Sequence, residues 1–257
     1  MPPAAAIELI RKIYRPSMTV GKVYARPYGS AAPLAEIGNV LELSLAHTEQ
    51  VLKQTDMTQL GGGTYAEIRR VQDVTLDMKM SDLNVINLAR ATLGTVQAIE
   101  AGTVEDEGYA AQPGGLIRLA HVAPTAVTIK RGPNAAEAEA LDAAAYQVRP
   151  EGIWLPVDAA GVTAGDLLWV SYSYGAQAVI EAITTKAQEL ELSFGGLNEA
   201  DGGKACVVDV FRVSQGVAKQ LALINDKFGE LDVSGSVLQD PNKTGDGVSR
   251  YYRQTLV

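Results

Sequence analysis

The chain has 257 residues, 47% of them hydrophobic and 20% charged, which excludes a disordered polymer and allows one large β domain or two modest ones. A formal net charge of −8 disfavours a firm grip on nucleic-acid phosphates or on an anionic membrane. The single cysteine, Cys206, excludes an internal disulfide and a thiolate metal cage, and no stretch approaches the roughly 20 apolar residues of a spanning helix.

The first ten residues read as an arm, with a weak helical turn over residues 5–10. The charges at Glu8, Arg11 and Lys12 follow the short apolar run, whereas a secretory signal places them before it. The expectation is a chain that stays in the cytoplasm where it is made, or leaves by lysis. Strand character begins at residues 19–25, and Pro27, Gly29, Ser30 and Pro33 mark a turn region.

Residues 40–47 read as a strand with Leu41, Leu43 and Leu45 on one face and Glu42, Ser44 and Ala46 on the other. A cleaner strand follows at residues 73–80. Val74, Leu76, Met78 and Met80 face one way, and Asp73, Thr75, Asp77 and Lys79 the other, as in a half-buried antiparallel strand. Residues 48–67 between them read as a long loop. It carries Leu52, Met57, Leu60, Gly61, Gly62, Gly63 and Tyr65, and its apolar members point to packing outside its own domain.

Ser81 or Asp82 caps a helix in which Leu83, Ile86, Arg90 and Leu93 follow helical spacing, with Val85 and Ala89 beside them. Gly94 suits the residue just past its end. This is the one helix that the pattern supports firmly. The segment of residues 108–175 then holds short strands separated by turn signals at residues 131–134, 149–152 and 164–166, which points to a small immunoglobulin-like β-sandwich inserted in the chain. Residues 135–145 are rich in Ala and Glu and are compatible with a short helix as well. The chain thus divides into residues 1–107, the insert of residues 108–175, and residues 176–257.

The last part returns to β patterning. Leu190, Leu192 and Phe194 alternate with Glu189, Glu191 and Ser193, and further strands read over residues 207–213, 229–238 and 249–257. The loop of residues 240–247 separates the last two.

Few residues invite chemistry. Gly61, Gly62 and Gly63 lack the Lys-Ser/Thr of a phosphate loop and precede a strand, so they read as a turn. His47 and His121 are isolated, and no nucleophile elbow is present. The acidic turn Glu105, Asp106, Glu107 and the pair Asp240, Asp246 fit local turn hydrogen bonding better than an acid–base pair or a calcium loop. Cys206 reads as a small core side chain, and Trp154 and Trp169 as core residues of the insert. No cofactor, metal or catalytic residue is expected, and the chain is not expected to be an enzyme. Tyr251 and Tyr252 suit either a contact between subunits or a last strand paired into its own sheet.

Four segments together resemble the tail tube (major tail) proteins of tailed bacteriophages: Gly21-Lys22-Val23-Tyr24, residues 38–45, residues 61–71, and Asp82-Leu83-Asn84-Val85 with the helix after it. The run from Phe228 to Asp240 before a final Ser249-Arg250-Tyr251-Tyr252 strand fits as well. The resemblance covers residues 19–93 and roughly 186–257. It implies a mainly β chain with a barrel-like antiparallel β-sandwich, one flanking helix and a β-rich insert. It also implies homohexameric rings stacked into a hollow virion tube around a tape-measure protein, bounded by tail terminator and tail-tip proteins, with DNA in transit and no membrane partner. Four strands per subunit give about 24 around the bore, and a backbone diameter of about 37 Å at about 4.8 Å spacing. By the same resemblance, residues 48–67 reach a neighbouring ring, with the arm and final strand as further contacts. Asp73, Thr75, Asp77, Lys79, Glu189, Glu191 and Ser193 face the bore. A virion decoration or host-binding β module is the other class considered, suggested by the tryptophans of the insert.

Overall fold

The computed structural model describes residues 16–257, so the helical turn and the arm read from residues 1–15 lie outside the described residues. The chain is mainly β, built of antiparallel sheets, and it divides into two compact units. One comprises residues up to Thr95 and from Ile180 onward, the other Val96–Val179.

The first unit opens with β1 (Thr19–Pro27), β2 (Ala35–Glu36), β3 (Val40–Thr55) and β4 (Thr64–Met80), followed by helix α1 (Val85–Ala91). The strand β5 (Thr95–Ile99) leads into the second unit. There follow β6 (Gly102–Ala110), β7 (Leu116–Arg118), β8 (Thr125–Arg131), β9 (Glu139–Ala140), β10 (Gln147–Arg149), β11 (Gly152–Trp154), β12 (Leu167–Tyr174) and β13 (Gln177–Glu181), the last paired with β5. The first unit is completed by β14 (Glu189–Asn198), β15 (Lys204–Gln215), β16 (Leu231–Val237) and β17 (Tyr252–Leu256).

One sheet in the order β2-β1-β14-β15-β16-β4-β3 forms the first unit, with β17 added to β15. β15 is the corner. Its first part, Cys206 to Val210, pairs β17, and its last part, Val213 to Gln215, pairs β16. Between these parts a bulge sets Phe211 and Arg212 against Glu191, and bulges bend sheets. The sheet therefore folds into two wings, β1-β14-β15-β17 and β16-β4-β3. Their inner faces share one core: Val23, Leu192 and Val210 from one wing, Leu76, Met78 and Val233 from the other. The alternation read in β4 and β14 is the structural one. Val74, Leu76, Met78, Met80, Leu190 and Leu192 are buried, and their polar neighbours lie on the outer faces.

Three readings of this unit are corrected. The loop expected over residues 48–67 is strand on both sides. β3 and β4 pair from Val40 opposite Met80 out to Thr55 opposite Thr64, leaving a turn of residues 56–63. Its polar composition marks solvent on both faces of a ribbon, which leaves no alternation to read. In β3 a register shift between Val40 and Glu42 turns Leu41 outward, 52% exposed, while Val40, Leu43 and Leu45 pack on the core. The helix begins one turn later than Ser81 or Asp82 imply. Asn84 is the N-cap and accepts from the Asn87 amide, while Asp82 accepts from the Asn39 amide instead. The buried positions of α1 are Asn87, Ala89 and Ala91, and Ile86 is 61% exposed. Leu93, not Gly94, takes the left-handed position after the helix (φ 50°). Gly94 is required for another reason: a Cβ there meets the Glu181 carbonyl at 2.7 Å.

The second unit is a small sandwich of two sheets, β6-β12-β8-β9 and β10-β11-β7, around Ile117, Leu119, Ile129, Ile153, Leu155, Leu168 and Val170. Its limits, Val96–Val179, lie outside the expected 108–175, and Glu105, Asp106 and Glu107, expected in a turn, lie within β6, which pairs with β12. Residues 135–145 form β9 and a short 3-10 turn over Ala143–Ala145, capped by Asp142. The tryptophans are corrected too. Alternation places Ile153, Leu155, Leu168 and Val170 inside, and leaves Trp154 and Trp169 half-buried on separate sheets. Arg149 lies 4.5 Å over the Trp154 ring, and the Trp169 indole donates to the Gly132 carbonyl at 3.0 Å.

Candidate assembly surfaces

The continuation of β3 and β4 beyond the core is an arm. Every residue from position 46 to position 73 is exposed except Asp56. From Thr48 to Thr55 the arm extends about 24 Å at about 3.4 Å per residue. Its tip is held by sequence-specific means. Asp56 accepts from the amide and the hydroxyl of Thr58, at 2.8 and 2.6 Å, and these bonds hold its carboxyl below the usual range. The Asp56 amide donates to the Gly63 carbonyl at 2.8 Å, and Gly61, Gly62 and Gly63 all take positive φ.

The register assigns the arm two chemical faces. On one, Leu52 stands opposite Ile68 and Gln54 opposite Ala66. The other carries Lys53 opposite Glu67 and Val51 opposite Arg69, with Arg69 bonded to Glu67 at 2.6 Å and to Glu49 at 3.3 Å. Leu52, 47% exposed, thus has an apolar partner, Ile68, that the sequence reading missed. Tyr65 falls on the charged face, and Met57 and Leu60 sit at the tip, 87% and 106% exposed. The residues taken together as a stacking loop therefore divide among two faces and a tip. The opposition of Leu52 and Ile68 was legible only from the register.

The candidate bore residues fall on two different wings. Asp73, Thr75, Asp77 and Lys79 lie on the outer face of β4, and Glu189, Glu191 and Ser193 on that of β14. With the core between the wings, these outer faces point away from each other, so one set at most lines a common surface. The electrostatics of the two differ. On the β14 wing the acids are matched: Glu191 with Arg26 at 2.5 Å, Glu189 with Arg212 at 2.7 Å and Asp209 with Arg253 at 3.1 Å, with Ser193 donating to Asp209. On the β16-β4-β3 wing Glu42, Asp73, Asp77, Glu230 and Asp232 share the face with Lys79 and Lys219, an acidic surplus.

Tyr251 and Tyr252 resolve toward their own sheet. β17 pairs β15 from Tyr252 opposite Val210 to Leu256 opposite Cys206, and both tyrosines pack against the core. The Tyr252 hydroxyl lies 3.1 Å from the His47 Nε2, joining the two wings.

Among the described residues the sheet does not close into a barrel. β2 covers β1 only at Tyr24 and Ala25, and β3 has a strand partner on one side only among the described residues. Between these edges a groove of about 480 Å³ opens onto the core, lined by Leu43, Leu45, Leu76, Leu192, Phe194, Cys206, Val208, Val210 and Leu256. Cys206 is buried on its wall rather than in the core cluster. The described residues hold no cluster of three His, Cys, Asp or Glu side chains with metal-binding geometry, and no helix among them is long and apolar enough to cross a membrane.

The family model described as "Protein of unknown function UCP028589" matches residues 16–255, and no curated protein matches the chain.

Proposed function

The chain belongs to that family, and we propose that it is a structural subunit of a phage tail tube, in which six copies close a ring and rings stack around a tape-measure protein. The observation that carries this reading is the arm. An isolated two-stranded ribbon is marginal in water, yet this one extends with every residue but Asp56 exposed and carries Leu52, Ile68, Met57 and Leu60. Such a ribbon is suited to being covered by another copy.

Two further observations support it. The edges of β1 and β3, largely uncovered among the described residues, offer main-chain donors and acceptors for pairing between copies, and ring closure removes exposed edges. The acidic outer face of β16-β4-β3 suits a bore through which DNA passes without adhering. In this reading Asp73, Thr75, Asp77 and Lys79 face the bore and Glu189, Glu191 and Ser193 do not. The subunit acts as a part of the virion, contacts terminator and tip proteins at the tube ends, and needs no cofactor or catalytic group.

The double variant Leu52→Ser with Ile68→Ser tests the arm. Losing one exposed cross-strand pair costs at most about 1 kcal/mol, so the expected product is a folded subunit with a near-native melting curve that no longer assembles in sedimentation velocity. Assembly equal to the unaltered chain overturns the role of the arm.

A further inference from the structure

The outer face of β6-β12-β8 in the second unit holds a flat aromatic surface beside a set of fixed polar groups. Trp169 on β12 stands opposite Gly108 on β6 and Lys130 on β8. A Cβ on Gly108 would lie 3.1 Å from Cζ3 of the Trp169 ring and 3.5 Å from both ring neighbours of that carbon. The glycine therefore sits under the face of the indole rather than at its edge, and the ring lies flat on the sheet. Its N–H donates to the Gly132 carbonyl at 3.0 Å, which fixes the ring and leaves its outward apolar face for a partner.

The neighbouring row is polar. Ser171 stands opposite Thr128, and a bulge sets both Glu105 and Asp106 against Ser171. Asp106 takes the left-handed conformation there (φ 48°), a strain that persists where surrounding bonds hold it. The bulge keeps Val104 and Glu107 opposite the buried Tyr172 and Val170, and it aims Asp106 outward. Asp106 accepts from the Lys130 ammonium at 2.9 and 3.2 Å and from the Ser171 hydroxyl at 3.3 Å, and its amide donates to Ser171 Oγ at 2.9 Å. The ion pair thus spans β12 beside Ser171, two residues or about 7 Å along the strand from Trp169. Both of its side chains keep about a third of their surface in water, and Thr128 is exposed.

Charge and shape together select the partner. Asp106 matches the Lys130 charge, so this patch has no spare cation to hold a phosphate or sulfate. A flat apolar face next to groups that both donate and accept suits a pyranose ring, with its apolar C–H face and its rim of hydroxyls. We propose that this face binds a neutral polysaccharide, one sugar ring stacking on Trp169 while its hydroxyls bond to Asp106, Lys130 and Thr128. Trp154 takes no part, since it lies on the other sheet with Arg149 over its ring. The inference concerns the second unit alone and is independent of the tube reading.

Trp154→Phe in the full chain leaves Trp169 as the single tryptophan reporter. This variant is titrated with dextran, mannan and galactan, which present glucose, mannose and galactose rings, and with heparin as a polyanion. The expected result is a saturable change of indole fluorescence with at least one neutral polymer and none with heparin. The same polymer retards the unaltered chain in a native gel. Trp169→Ala, its fold verified by circular dichroism, lowers the affinity in the gel at least tenfold. Asp106→Asn, added to the reporter chain, keeps a residue that tolerates the left-handed backbone and lowers the affinity at least threefold. No saturable response to any of the three neutral polymers, or a response to heparin alone, overturns the proposal. So does unchanged affinity in folded Trp169→Ala or in Asp106→Asn. If Trp169→Ala does not fold, the Asp106→Asn titration decides.

Discussion

At the scale of single residues, the structure depends on positions that the sequence marks only by their size. Gly21 faces Gly196 across β1 and β14, and a Cβ on it meets the Gly195 carbonyl oxygen and the Gly196 Cα well inside contact distance. Gly195, in the same pair of strands, has nothing nearer than Tyr24 at 4.0 Å. Gly21→Ala is therefore expected to cost about 1–3 kcal/mol by overpacking, and Gly195→Ala to fall within about 0.5 kcal/mol of the original. Chemical denaturation of the two variants measures the difference, and equal stabilities contradict the close approach. The hydrogen-bonded carboxylates give a pH dependence of definite sign. The Lys130 ammonium bonded to Asp106, the Thr163 amide bonded to Asp166 and the Arg212 guanidinium bonded to Glu189 each hold a carboxyl below its ordinary value. Such groups add stability above the unfolded carboxylate range of about 3.9–4.3, and that stability is lost as pH falls through their lower folded values. The melting midpoint is expected to change little from pH 7 to about 5 and to decline below about 4; a midpoint that rises on acidification contradicts these pairings. Residue-level chemistry was legible where composition alone decides. Cys206 reads as buried and is buried, but its place on a groove wall depends on a pairing with Leu256, 50 positions away.

At the scale of elements, alternation was readable wherever a strand has one dry face. Val74 to Met80 and Glu189 to Ser193 show this, because each inward side chain meets the core and each outward one meets water. The same rule fails in the arm, where water lies on both sides and Val51, Leu52, Ile68 and Val71 fall without a pattern. It also fails at Leu41, where one bulge shifts the register and inverts the face. The helix shows a third kind of limit. Leu83, Val85 and Ile86 look like an apolar stripe, yet the buried positions are Ala89, Ala91 and Asn87, the last donating to the Ile37 and Asp82 carbonyls at 2.6 and 3.1 Å. A buried amide satisfied by distant backbone has no local signature. The second unit was legible as an insert, but its limits were not, since the acidic run Glu105–Glu107 reads as a turn yet lies inside β6. Gly94 and Glu181 lie in contact where the chain leaves and re-enters the first unit. Excising residues 96–179 and joining the ends with a short Gly-Ser linker is expected to leave a β-rich unit that melts cooperatively by circular dichroism, and an unfolded product contradicts the division of the chain into two compact units.

At the scale of the molecule, the first unit combines an extended exposed ribbon, two strand edges largely uncovered among the described residues, and one acidic and one charge-matched outer face. A ribbon and an edge that meet different surfaces on the next copy make a heterologous contact, which closes into rings or continues into filaments according to its rotation. The tube reading joins these features with the resemblance carried by residues 38–45, 61–71 and 228–240. On the tube reading, the bore radius follows from strand number and tilt, and the acidic wing is the face that turns inward. Electron microscopy of the concentrated, purified chain in negative stain tests the central claim most directly. The account predicts rings with a hollow centre, stacked into tubes of uniform width. A population that remains monomeric at every concentration, with no rings, contradicts it.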